Sequence, residues 1–162
     1  PVVFMPGTAR RQAADFFAAA VRACEHAGER GLLLGAVDPA LQQELPPTIR
    51  VEGYVPFGSL LPRARALVHH GGVGSAAQAL RAGIPQLVAP HAYDQFDNAM
   101  RLERLGVGRT LRSDARGLQA MGAELKALLA STETRDACMR WAPQVSAQSA
   151  RETVASLVES LA

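Results

Sequence analysis

The sequence predicts an α/β fold, a doubly wound parallel sheet of about six strands with helices on both faces. Two observations carry that prediction. Short apolar runs alternate with longer amphipathic stretches along the chain, and glycine or proline marks most of the changeovers. The apolar runs are near-continuous rather than alternating, as befits strands buried on both faces of a parallel sheet. Right-handed crossovers then favour the strand order 3-2-1-4-5-6, a Rossmann-like arrangement.

The elements follow in order. "VVFM" (Val2–Met5) reads as a buried strand closed by Pro6-Gly7. Ala13, Phe16, Phe17, Ala20, Val21 and Cys24 recur at three- and four-residue spacing, one stripe of a helix that Gly28 ends. Leu32–Gly35 is the second strand, and Asp38–Pro47 reads as a short helix or loop. Ile49–Val51 supplies a third strand, and Ser59 is placed to cap a short helical turn before Pro62. Ala66–His70 is the fourth strand and runs into a glycine loop, with Ser75 at an N-cap position ahead of a helix over 76–82 that Gly83 stops. "QLVA" is the fifth strand, Asp94–Leu105 a helix ended by Gly106, and Val107–Leu111 the sixth strand. From Gly117 the pattern is helical, broken near Ser131 and by Pro143.

Composition narrows the function classes. The chain has 162 residues, 48% apolar and 20% charged, enough for one sizeable core and ordinary for a soluble globular protein. Net charge is +2; Lys126 is the only lysine, and the arginines are scattered, so no basic run marks a nucleic-acid partner. Aromatic residues make up 5%, too few for a single-strand stacking platform. Cys24 and Cys138 match no metal spacing and read as free thiols of a reducing compartment. No apolar run reaches a membrane span, and no signal peptide is visible. The chain starts at Pro1 without a methionine, and a piece of a longer protein is expected.

The predicted topology places a ligand crevice between strands 1 and 4, outside their C-terminal ends. The loops leaving those strands are "PGT" (Pro6–Thr8) and "HGGVGS" (His70–Ser75). A glycine loop feeding a helix N-terminus exposes backbone N–H groups and the positive end of the helix dipole, a combination suited to phosphate. Gly71, Gly72 and Gly74 allow close approach or positive φ, Ser75 adds a hydroxyl, and His70 a protonatable donor. The alternative is a tight strand–helix turn whose glycines serve packing alone. A dinucleotide fingerprint would need glycine where Ala77 stands, a P-loop would need a lysine, and a nucleophile elbow fails because Ala76 and Ala77 follow Ser75. His69 and His70 are adjacent and point to opposite faces, so His69 reads as a packed strand histidine and no metal site is expected.

Two further loops sit on the same sheet edge. In "HAYDQFDN", Asp94 and Gln95 offer acceptors and an amide suited to sugar hydroxyls, although Asp94 would equally serve as a helix cap. In "GYVPF", Tyr54 offers a face to a base, or else packs into the core.

The stretch "YVPFGSLLPRARALVHHGGVGSAAQALRAGIPQLVAPHAYDQFDNAMRLERLGVG" resembles the donor-binding half of the GT-B glycosyltransferases, with its HxGxxS, GxP and DQ pattern. The flavour is that of bacterial rhamnosyltransferases, macrolide and glycopeptide glycosyltransferases, and sterol glucosyltransferases. The likeness is dense over Val51–Arg109 and reaches the first strand through "PGTA".

The resemblance implies a role for each residue. Thr8, His70, Gly72, Val73, Gly74 and Ser75 match residues that hold the diphosphate of a nucleotide sugar. Tyr54 and Val55 match those that read the base, Gln78 the ribose contact, and Asp94 and Gln95 the pair on the transferred sugar. Two positions depart from the family pattern: plant members carry glutamate where Gln78 stands, and proline is common where Phe96 follows the DQ pair.

The resemblance further implies a metal-independent inverting enzyme with a UDP- or dTDP-sugar donor and no cofactor. Its acceptor pocket and general base, typically a histidine, would lie on an N-terminal domain absent from this chain, and the acceptor is a small molecule or lipid. His26 reads as an ordinary surface or packing histidine, so no catalytic residue is assigned here. Alone, the chain is expected to bind a nucleotide and turn nothing over. Cytoplasmic location is expected, with peripheral membrane association as the alternative for a lipid acceptor. A non-catalytic accessory subunit that binds a nucleotide sugar and a nucleotide-sugar epimerase are the competing readings.

Overall fold

The structure is a computed structural model and describes residues 1–7, 13–145 and 147–161. Its sheet has six parallel strands: β1 (Val2–Met5), β2 (Gly31–Leu34), β3 (Ile49–Glu52), β4 (Ala66–His69), β5 (Gln86–Val88) and β6 (Gly108–Thr110). Their order is β3-β2-β1-β4-β5-β6, so the winding reverses between β1 and β4 as the sequence predicts. Met5 and His69 are register partners at the C-terminal ends of those two strands.

Eight helices are described: α1 (Ala13–Ala27), α2 (Pro39–Gln43), α3 (Phe57–Leu60), α4 (Val73–Arg81), α5 (Gln95–Arg104), α6 (Ala115–Ala130), α7 (Thr132–Trp141) and α8 (Ala147–Glu159). Short 3-10 turns cover Leu61–Arg63 and Ala142–Gln144.

Side chains alternate between the two faces of each strand, and both faces are covered. On one face Val2, Phe4, Leu33, Val68 and Leu87 meet Phe16 and Phe17 of α1 and Met121, Leu125 and Leu128 of α6. On the other, Val3, Leu34 and Leu67 meet Leu61, Ala79 and Ile84, and Val88 packs with Ala99, Leu102 and Cys138. The α1 stripe read from the sequence lies on the buried face, with Ala13 and Val21 only partly buried at its margin. Both cysteines are free and buried. Among the described residues no helix is long and apolar enough to cross a membrane.

Several boundaries move. β2 starts at Gly31 and stops before Gly35, and β6 is only three residues, flanked by the buried Val107 and Leu111. Ser59 does not cap: Pro56 occupies that position, and α3 already contains Ser59. Proline fixes the φ that the start of a helix needs, so the turn begins earlier than the hydroxyl suggests. The break at Ser131 holds, because its Oγ accepts from the Thr134 N–H at 3.1 Å and caps α7. β4 ends at His69, and His70 has already left the sheet.

Candidate functional site

The chain turns sharply where β4 ends. Gly71 adopts φ +95°, a region glycine enters without steric penalty, and a Cβ there would strike Val88 Cγ1 at 2.9 Å and the Gln95 carbonyl at 3.0 Å. After this reversal the helix starts at once. Gly72 is the N-cap, extended at φ −63° and ψ 137°, and its carbonyl accepts from Ala76 N–H at 3.0 Å. This corrects the expectation that Ser75 caps α4: Ser75 lies inside the first turn, because the left-handed Gly71 lets the helix begin at Val73. Among the described residues no side chain caps α4. Its first-turn amides at Val73, Gly74 and Ser75 therefore keep their donors for an anion.

His70 stands in a slot made by two glycines. A Cβ on Gly7 would sit 2.7 Å from His70 Nδ1, and one on Gly72 would sit 2.6 Å from its Nε2. Real Cβ atoms do not approach so closely, so the ring occupies space that only glycines on both sides leave open. Nδ1 is buried with no partner among the described residues. Burial holds the His70 pKa below the usual imidazole value; the nearby His91 lowers it further and Asp94 opposes both. The neutral ring can accept or donate a proton, and a ligand anion would draw it towards the cation.

A cleft of about 610 Å³ opens beside this ring at the β1/β4 crevice. His70, Gly7, Gln78 of α4, Tyr54, Val55 and Phe57 are among the residues that line it. Tyr54 is 87% exposed, so the alternative that it packs into the core is set aside. The expected diphosphate and base residues thus share one edge of the sheet. Thr8 lies outside the described residues.

The loop after β5 approaches the glycine loop from the other side. Asp94 occupies the N-cap position of α5 without a side-chain capping bond, and its Oδ2 accepts from Asn98 Nδ2 at 2.8 Å. Asp94 is therefore not spent as a cap. Gln95 is partly spent: its Oε1 accepts from the N–H groups of His91 at 2.8 Å and Ala92 at 3.2 Å. Only the Gln95 amide nitrogen remains to meet a ligand, a narrower role than its free amide suggests. Phe96 is half-exposed.

Sequence reasoning passed over three residues here. Asn98 donates to both Asp94 and the Gly71 carbonyl, and its i+4 spacing from Asp94 was a usable signal. Gln86 is fully buried in an apolar strand, where an amide needs a partner, and that partner is His69. Tyr93, exposed at φ +57°, is the one non-glycine residue with positive φ among the described residues. No local pattern announces that conformation.

A separate cleft of about 420 Å³ between α1 and α6 carries Asp15, Arg22, His91, Arg112 and Asp114. Arg112 is paired with Asp114 at 2.9 Å, so its charges largely cancel, and none of the predicted site residues lines it. Among the described residues no three His, Cys, Asp or Glu side chains come together as a metal-binding group.

Comparison with known proteins shows the family and the fold. The family described as the erythromycin biosynthesis protein CIII-like C-terminal domain matches residues 31–161. The elloramycin glycosyltransferase ElmGT of Streptomyces olivaceus is 38% identical over 115 residues, which are 70% of this chain and 30% of that protein. The solved glycotransferase of kitacinnamycin superposes with a TM-score of 0.85 at 25% identity, over 98% of this chain and 42% of that one. The spinosyn rhamnosyltransferase SpnG, solved with thymidine diphosphate, superposes with a TM-score of 0.74 at 27% identity, over 89% of this chain and 40% of that one. The chain spans less than a third of the length of the curated relatives it matches.

Proposed function

The chain belongs to the EryCIII-like C-terminal domain family of GT-B glycosyltransferases, and from that membership we propose that it is the sugar-donor half of an inverting hexosyltransferase. The donor is a nucleoside-diphosphate sugar, thymidine-linked by preference to uridine-linked; the thymidine diphosphate in the SpnG complex supports that choice.

One observation carries the reading. His70 in its glycine slot, Gln78 of α4 and the Tyr54–Val55 wall line one cleft at the sheet's switch point, and the uncapped first turn of α4 begins three residues after His70. The diphosphate lies on the amides of Val73, Gly74 and Ser75 with His70 beside it, the base faces Tyr54 and Val55, and Gln78 meets the ribose. Asp94 and the Gln95 amide nitrogen meet the transferred sugar.

The chemistry follows from that placement. An acceptor hydroxyl, deprotonated by a base outside this chain, attacks the anomeric carbon. The new carbon–oxygen bond forms as the bond to the diphosphate breaks, and configuration inverts. Charge develops on the departing phosphate oxygens, where preorganised N–H donors and a protonatable imidazole stabilise it most. No metal is required in this scheme, because the helix N-terminus and His70 supply the compensating charge. The chain alone binds nucleotide and turns nothing over; the acceptor site and general base belong to the remainder of the protein.

Replacing His70 with alanine tests the reading by calorimetry. Affinity for thymidine diphosphate should fall about tenfold while affinity for thymidine holds. Equal losses for both ligands would show that His70 does not meet the phosphates.

A further inference from the structure

His69 reads as a packing residue, yet its surroundings are those of a polar hinge. The ring is fully buried on the α4 side of the sheet. Nδ1 accepts from the Gly71 N–H at 3.1 Å, and Nε2 lies 3.0 Å from Gln86 Oε1. These contacts fix the proton. The Gly71 amide can only donate, so Nδ1 must be bare; the neutral imidazole then carries its hydrogen on Nε2, and Gln86 must turn its oxygen inward. A second proton on Nδ1 would face the Gly71 hydrogen and break the turn, and burial with the neighbouring His70 opposes that proton by lowering the His69 pKa to about 4.

For packing alone this is a poor choice. Two polar side chains are buried, and Gln86 Nε2 has no partner among the described residues. An apolar pair of the same shape would avoid that desolvation. What the pair achieves is positional. The amide it holds lies between His70 and Gly72, one residue from the imidazole in its slot and two from the first residue of α4. Gly71 has no Cβ and can take many backbone conformations, so outside anchors keep this one: Asn98 holds its carbonyl, and His69 holds the N–H on the His70 side.

We propose that His69 is a positioning residue for donor binding: its bare Nδ1 holds the Gly71 amide and thereby fixes how His70 and the first turn of α4 present themselves to the diphosphate. The proposal rests on the donor reading above. His69 touches no substrate and acts only through Gly71.

Two substitutions separate positioning from packing. In His69→Asn the side-chain oxygen falls near the place of Nδ1 and can accept from Gly71; His69→Leu fills similar space without an acceptor. Calorimetry with thymidine diphosphate and with thymidine, on the unaltered protein and both variants, reads the difference. The leucine variant should lose about tenfold or more in diphosphate affinity with thymidine unchanged, and the asparagine variant should stay within about threefold.

Unchanged diphosphate affinity in His69→Leu, or an equal loss in His69→Asn, overturns the proposal while leaving the donor reading intact. No binding by the unaltered protein overturns the donor reading and the proposal together. Should the leucine variant not fold, the long-range ¹H–¹⁵N spectrum of the His69 ring in the unaltered protein decides. A protonated Nε2 and a bare Nδ1 at neutral pH support the proposal, and a protonated Nδ1 overturns it.

Discussion

Asn98 Nδ2 lies 2.9 Å from the carbonyl oxygen of Gly71, bridging two loops that are 27 positions apart in the chain. The same nitrogen donates to Asp94 Oδ2 at 2.8 Å. One amide thus ties the glycine loop after β4 to the loop after β5, with the Gly71 peptide gripped at its N–H by His69 and at its C=O by Asn98. Replacing Asn98 with alanine should cost about 1 kcal/mol of stability and free both loops. Chemical denaturation would show a lower midpoint with unchanged slope; an unchanged midpoint would mean that the bridge carries no weight.

The two glycines flanking Val73 should behave in opposite ways. Alanine at Gly72 would sit 2.6 Å from His70 Nε2 and expel the ring from its slot, so diphosphate affinity should fall about tenfold. Alanine at Gly74 meets nothing within 4 Å and should leave stability equal or raised by up to about 1 kcal/mol, since alanine favours helix over glycine. If Gly74→Ala nevertheless weakens thymidine diphosphate, the open space is used by the ligand. Calorimetry and thermal melts on the two variants make the comparison.

Tyr54 is 87% exposed, so its removal should barely touch the fold. Tyr54→Ala should change stability by less than about 0.5 kcal/mol. Thymidine affinity should fall about tenfold, the scale of a lost base–aromatic stack. A variant that binds thymidine as the unaltered protein does would remove Tyr54 from the base site.

Acid should unfold the protein through its histidines. The folded-state pKa of His69 is about 4 against 6.5 for a free imidazole, so between those values the unfolded chain binds the extra proton and the folded one does not. Stability is therefore full above pH 6.5 and falls as pH drops towards 4, by about 3 kcal/mol from this residue alone. His70 and His91 are lowered by burial too and add in the same direction. Denaturation free energies from pH 7 to 4 should show this slope, and His69→Asn should lack much of it. Equal slopes in both proteins would contradict the assignment.

The strand order and the ligand edge were legible because apolar runs, glycine stops and crossover handedness are local or topological properties. His70, Tyr54 and Val55 stand beside those markers, so their place at that edge could be read, whereas Gln78 was singled out only by the family resemblance; the structure puts all four on one cleft. What stayed hidden depends on pairing across the sheet. Gln86 and His69 lie on different strands, so neither reveals the other, and the His69 ring looked like packing until Gly71 was seen on its far side. The start of α4 was misplaced because a serine signals a cap to the eye, while the left-handed Gly71 decides where the turn can begin. The freedom of Gln95 was overestimated because nothing in "DQ" shows that its oxygen folds back onto its own loop.

The most direct test of the donor assignment is a titration of the protein with thymidine diphosphate, following the backbone amide resonances of Gly72, Val73, Gly74 and Ser75. A saturable shift of these resonances, larger than any produced by thymidine alone, is the predicted result. Amides that stay still at millimolar nucleotide would contradict the placement of the diphosphate on the first turn of α4.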